Sequence, residues 1–369
     1  MTRYHSLAAT FFLALMLSPF LAGRVAAQES LFDRLYQELA TEAVDVVLTL
    51  PVDSIRKDTR TPQPATFSYT DGDGEVLTLG TEASLRGKFR RTRCATPPLK
   101  LNFSKKELRA AGLLDHDKYK LVTTCYADST ATALLLKEYL AYRAYALFSP
   151  DAHYRTQLLR LTIRDLSGSH PETTAYAFLI EDADEMAARA GGKEIDELPS
   201  LDADLFDPTA EATHAMFQYL IGNADWSLAL NRNVKLVQRP DGSLLPVGYD
   251  FDFSGWVGAP YASPASDHGQ QSIYHRVYLG YGQSDRVLRN VSQDFRGQRR
   301  NLLNLIDEFS LLPTNDRRIL QRYVHRFYDE LATISSNTSV LFYDQLRGAT
   351  AEVIPPGSSP AHYRATTRR

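Results

Sequence analysis

The chain has 369 residues, 44% of them hydrophobic and 23% charged, fractions that exclude wholesale disorder, collagen-like sequence and coiled coil. A formal charge of −3 argues against a nucleic-acid binder. Two cysteines are too few for a Cys-rich zinc domain or a disulfide-dense scaffold.

Arg3 and His5 precede an uncharged run from Ser6 to Gly23, and the small residues Val25, Ala26 and Ala27 follow. This is the charged, apolar and small-residue order of a secretory signal, with cleavage expected near Ala27. Residues 1–27 are therefore read as a signal peptide. The expected mature chain is exported, periplasmic or secreted, without a transmembrane segment. Cys94 and Cys125 then meet an oxidising compartment, where one structural disulfide is expected.

Leu31 to Val47 reads as an amphipathic helix, and Leu48 opens a strand-rich region. Ala65–Thr70 and Glu75–Gly80 are β-prone runs flanking Asp71-Gly72-Asp73-Gly74, a hairpin signal. Leu99–Phe103 and Tyr119–Cys125 are further strands. Ala131–Phe148 is a helix on the recurrence of Leu135, Glu138, Tyr139, Tyr142 and Tyr145. Tyr154–Arg164 and Thr174–Glu181 are β-prone. An acidic stretch at 182–206 reads as a linker or lid. Asp207-Pro208 caps a helix through Ile221, and a late helix runs from Thr314 past Ile334. Residues 351–369, rich in Pro, Ser and Arg, read as a disordered tail. Strands thus gather in 28–181 and helices in 207–350. The expected fold class is α+β, with a strand-rich N-lobe and a mainly helical C-lobe.

The chemistry concentrates between Gly222 and Gly255, GNADWSLALNRNVKLVQRPDGSLLPVGYDFDFSG. Asp225 lies in a loop after a helix and Asn233 opens a strand. Asp241-Gly242 turns a hairpin, and the returning strand delivers Asp250 and Asp252. A two-residue turn centred on Asp241 and Gly242 sets Asn233 directly opposite Asp250, at a Cβ separation of about 4.5–5.5 Å. Pro240 and Pro246 are the residues able to shift that register. Oxygen-bearing side chains converging at one sheet end suit Mg²⁺ or Mn²⁺ and phosphate chemistry. A buried acidic pair in Tyr-Asp-Phe-Asp-Phe also demands a positive partner.

The same order of helix, Asp, Asn, hairpin and Asp resembles the atypical, exported branch of the protein-kinase-like superfamily, the spore-coat CotH-type family. The likeness covers roughly residues 80–260. It includes Leu85-Arg86-Gly87, RRTRCATPPLK from Arg90 to Lys100, Tyr119-Lys120-Leu121-Val122, Leu136-Lys137-Glu138-Tyr139-Leu140 and Tyr176–Glu181. The resemblance implies a two-lobed protein-kinase-like fold. It implies ATP as substrate, with Mg or Mn, and phosphate transfer to a hydroxyl-bearing acceptor, an envelope or secreted protein or a small molecule. Asp225 would orient or deprotonate the acceptor hydroxyl. Asn233, Asp250 and Asp252 would be metal ligands, and Lys120 would contact phosphate, held by Glu138. Asn231 is the rival of Asn233, and Lys100 that of Lys120. The chain departs from the pattern in three places. Seven residues separate Asp225 from Asn233, against four in the usual catalytic loop. No GxGxxG is present, and Trp226 stands where many kinase-like chains carry a basic residue or His. The alternative is an inactive, pseudokinase-like binding module.

Overall fold

The fold was analysed in a computed structural model, which describes residues 28–57, 61–71, 74–87, 90–195 and 202–348. The expected signal peptide and disordered tail lie outside the described residues. In chain order the elements are α1 (Leu31–Leu35), β1 (Val44–Leu50), α2 (Val52–Lys57), β2 (Gln63–Thr70), β3 (Val76–Leu85), α3 (Arg90–Arg93), β4 (Leu99–Phe103), α4 (Lys105–Ala110) and β5 (Lys118–Thr123). There follow α5 (Ser129–Phe148), β6 (Thr156–Asp165), β7 (Thr173–Ile180), α6 (Ala183–Arg189), β8 (Lys193–Ile195), α7 (Pro208–Ile221), β9 (Val234–Gln238) and β10 (Leu244–Gly248). The chain closes with α8 (Asp285–Glu308), α9 (Thr314–Ser336) and α10 (Phe342–Arg347). Among the described residues no helix is long and apolar enough to cross a membrane.

The expected two-lobed kinase-like fold is overturned by the sheet. Seven strands close into a barrel in the order β1-β2-β3-β4-β5-β7-β6, in a chain of mixed α and β content. Closure comes from β1 pairing in parallel with β6, Val44 against Leu159 through Leu50 against Asp165. The helix expected over Leu31–Val47 hides that closing strand. Helix α1 ends at Leu35, with Ser30 forming a reciprocal capping box with Asp33. Beyond it, Val44, Val46 and Val47 carry β-branched side chains that fit a pleated surface. Pairing on both edges, with β2 and β6, holds them extended.

Alternation along the strands fills the barrel with Val46, Leu48, Phe67, Leu101, Phe103, Leu121 and Leu179, all buried. A barrel of this size is filled by its own side chains. Helix α1 plugs one end through Leu31, Phe32 and Leu35, each fully buried, with the Phe32 ring stacked 6.4 Å from Tyr119. The opposite faces of β5, β6 and β7 present Val122, Leu158, Phe178 and Ile180 to α5. Tyr139, Tyr142 and Tyr145 of α5 join them in a second core that continues into α7, β9, β10, α8 and α9. Helix α5 is thus buried between barrel and helices, and Glu138 within it is only 2% exposed.

The acidic stretch at 182–206 carries α6 and β8. Strand β8 joins β9 and β10 in a small sheet of order β10-β9-β8. Pro246 sits on the edge strand β10, where its missing N–H costs no ladder bond.

Candidate functional site

The site is built on the loop between α7 and β9. Helix α7 ends at Gly222, whose φ of +64° is left-handed. A Cβ there would lie 2.1 Å from the Tyr323 hydroxyl, so both the turn and the packing demand glycine. The Asn223 amide donates to Gln218 Oε1 at 3.0 Å, and its own oxygen accepts the Asp225 N–H at 2.9 Å. Ser227 and Arg232 exchange backbone hydrogen bonds, folding the loop back so that Asn233 arrives beside Asp225. Trp226 is buried edge-on against His214, at 4.7 Å between ring centroids. Its packing role accounts for a large apolar ring at this position.

The hairpin forms with its register shifted by one from the expectation. Val234 pairs with Gly248 and Gln238 with Leu244, and the Tyr249 N–H donates to the Asn233 carbonyl. Asn233 therefore faces Tyr249, not Asp250. The cause is the turn. The Gly242 N–H donates to the Arg239 carbonyl, and Arg239 also bonds Ser243. Pro240, Asp241 and Gly242, the last at φ +88°, thus make a three-residue loop. Such a turn followed by a left-handed glycine adds one residue to the connection.

Asp250 then lies just past the ladder in a left-handed conformation, φ 63°. Among the described non-glycine residues only Asn231, Asn233 and Asp250 have positive φ, and all three fall in this segment. Such backbone strain persists only where the surroundings impose it. The Asp250 N–H donates to the Tyr142 hydroxyl at 2.8 Å, tying the segment to α5.

Two carboxylate groupings result. Asn233 Nδ2 donates to the Asp225 carbonyl at 2.6 Å and to Asp225 Oδ2 at 3.1 Å. Arg232 Nε lies 3.6 Å from Asp225 Oδ1. Burial raises the Asp225 pKa, opposed by Arg232 and reinforced by the charge of Asp250. In the second grouping, oxygens of Glu138, Asp250 and Asp252 lie within 4.8 Å of one another. One nitrogen, Arg90 Nη2, reaches Glu138 at 3.0 Å, Asp252 at 3.2 Å and Asp250 at 3.3 Å. Tyr261 donates to Asp252 Oδ2 at 3.1 Å. Burial also raises the Glu138 and Asp252 pKa values, against the pull of Arg90.

The ion-pair partner of Glu138 is thus Arg90, where the expectation had Lys120. In the sequence Arg90 stands out only as the start of the RRTRCATPPLK segment. The demand of the buried acids for a cation was legible, but not which cation would answer it. Lys120 Nζ is shielded from solvent and has no hydrogen-bond partner among the described residues. It rests 4.3 Å from the Tyr249 ring centroid and 5.0 Å from that of Tyr154. Burial, with the charges of Arg86 and Lys235, lowers its pKa to about 7. Lys100 is its cross-strand neighbour, and both face a cleft of about 380 Å³ whose walls include Arg86, Lys118, Lys235, Asp182 and Glu194.

The clustered oxygens of Glu138, Asp250 and Asp252 are carboxylates, the donor type that a hard divalent ion takes, whereas the expected ligand Asn233 is turned to Asp225 instead. The guanidinium of Arg90 is centred on the same oxygens and competes for them. The expected disulfide between Cys94 and Cys125 is formed.

Compared with protein-family models and with curated proteins, the chain finds no match.

Proposed function

We propose that the chain binds ATP with Mg²⁺ or Mn²⁺ and transfers phosphate to a hydroxyl-bearing acceptor outside the cytoplasm. What carries this reading is two features that both feel the charge of Asp250: a carboxylate held by an amide, Asp225 with Asn233, and a basic cleft around Lys120, whose Nζ has no hydrogen-bond partner among the described residues. The resemblance to the exported CotH-type family is part of the proposal through these residues. Asp225 is 39% exposed at its side chain, so an acceptor hydroxyl can reach it. Its raised pKa moves it toward the range useful to a general base. Asn233 fixes the carboxylate, and Lys120 and Arg86 offer positive charge to phosphate oxygens. A divalent ion on Asp250 and Asp252 would supply the charge that neutralises the transferring phosphate.

One observation favours a second reading, an inactive binding module. Arg90 already neutralises Glu138, Asp250 and Asp252, as a chain that has lost its metal would require.

Purified protein tests both: nucleotide-dependent thermal shift, then phosphate transfer with Mg²⁺ or Mn²⁺, wild type against Asp250→Ala. Transfer by the wild type alone supports the enzyme. Binding without transfer supports the module. The absence of any nucleotide-dependent shift sinks the enzyme.

A further inference from the structure

The connection between β3 and β4 carries Arg90 and Cys94 on one short turn, the Cys94 N–H donating to the Arg90 carbonyl at 2.9 Å. Cys94 is bonded to Cys125, two residues beyond the end of β5. Ala95 N–H, at 2.9 Å, and Thr96 N–H, at 3.4 Å, both donate to the Cys125 carbonyl. The covalent bond therefore ties the Arg90 turn to the segment between β5 and α5.

The contact that this turn delivers gathers three carboxylates on a single nitrogen. Their oxygens lie within 4.8 Å of one another, and the charge of Arg86 adds to that of Arg90 at Glu138. A divalent ion needs the same oxygens, so guanidinium and metal exclude each other. A second observation points to an anionic ligand beside the triad. Lys120 Nζ, shielded and without a hydrogen-bond partner among the described residues, lies close enough to Asp250 to feel its charge. It faces the cleft with Arg86, which stands on the same connection as Arg90. An anion seated there would lie between these cations and a divalent ion held by the triad.

We propose that Arg90 is an inhibitory stand-in for a divalent cation, locked in place by the Cys94–Cys125 bond and released by a dithiol reductant. This rests on the metal-nucleotide reading of the same site. Both cysteines are half-buried and within reach of solvent. A thiolate of the dithiol attacks one cystine sulfur, and the Sγ–Sγ bond breaks with its electron pair on the other cysteine. The second thiol of the dithiol then displaces the first cysteine. The cystine gains two electrons and two protons to become two thiols, and the dithiol is oxidised to its own disulfide.

The test is Mn²⁺ binding, read as free Mn²⁺ by electron paramagnetic resonance. Oxidised protein is compared with protein reduced by a dithiol, alkylated and desalted, and with oxidised Arg90→Gln. Reduction and Arg90→Gln should each tighten Mn²⁺ binding by about tenfold or more, and reduction of Arg90→Gln should add nothing. Unchanged affinity on reduction overturns the proposal, as does unchanged affinity in Arg90→Gln. Loss of near-ultraviolet circular dichroism on reduction also overturns it, because the bond would then hold the fold rather than the latch. Phosphate transfer on the same samples reads the other claim. Tightened Mn²⁺ binding without transfer upholds the latch and sinks the enzyme.

Discussion

Asn233 donates from one amide nitrogen to both the carbonyl and the carboxylate of Asp225, across eight positions of chain. Its backbone is left-handed, φ 55°, a conformation that asparagine tolerates better than most residues. Side chain and backbone therefore make separate demands. Asn233→Gly should keep the fold and lose the contact. Asn233→Ala should lose the contact and cost about 1 kcal/mol more in stability for its Cβ. Denaturant midpoints of the two variants separate the effects.

Asp225 is the group that the proposed transfer requires as base. Asp225→Asn should leave the nucleotide-dependent thermal shift intact and slow phosphate transfer by about 10²–10⁴-fold. Equal loss of both readouts would assign the residue to folding instead.

Lys120 gives a pH signature. Its pKa falls from 10.5 in the unfolded chain to about 7 in the fold. Between those values the unfolded state binds more protons, so this residue's contribution to stability improves as pH rises. Lys120→Met should therefore raise the melting temperature most at and below pH 7, with the gain fading as pH approaches 10.5. A gain that is constant with pH would refute the buried-charge account.

Glu211, in the first turn of α7, shows the opposite sign. Burial raises its pKa from 4.5 to about 7, although it accepts hydrogen bonds from Tyr281 N–H and Gln283. Its stability is complete below pH 4.5 and is lost as pH rises through 7. Glu211→Gln should match wild type in acid and melt higher than wild type at alkaline pH. Thermal melts across that interval decide it.

Gly222 ends α7 where the Tyr323 hydroxyl leaves no space for a methyl group. Gly222→Ala should destabilise by about 1–3 kcal/mol through strain and overpacking. Adding Tyr323→Phe should recover part of that loss, a coupling that a double-mutant cycle measures.

Local signals in the sequence located individual elements well. Leu99–Phe103 forms β4 at the expected residues, and α7 follows its Asp207-Pro208 start. Patterning could not show that β1 closes a barrel. Val44–Leu50 is read correctly only once β2 and β6 supply partners on both edges. Likewise the Asp241-Gly242 turn was evident, but Pro240 lengthened it and moved Asn233 from Asp250 to Tyr249.

The acids themselves were visible in the chain, because unpaired carboxylates beside large apolar rings require a positive partner wherever they are buried. Which cation answers them was a tertiary decision. Arg90 and Glu138 are 48 positions apart, and only the turn after β3, bonded to the end of β5 through Cys94 and Cys125, brings the guanidinium over α5. Sequence spacing encodes contacts within a helix turn or a hairpin. Contacts between distant segments depend on how the barrel closes and which face of α5 it covers.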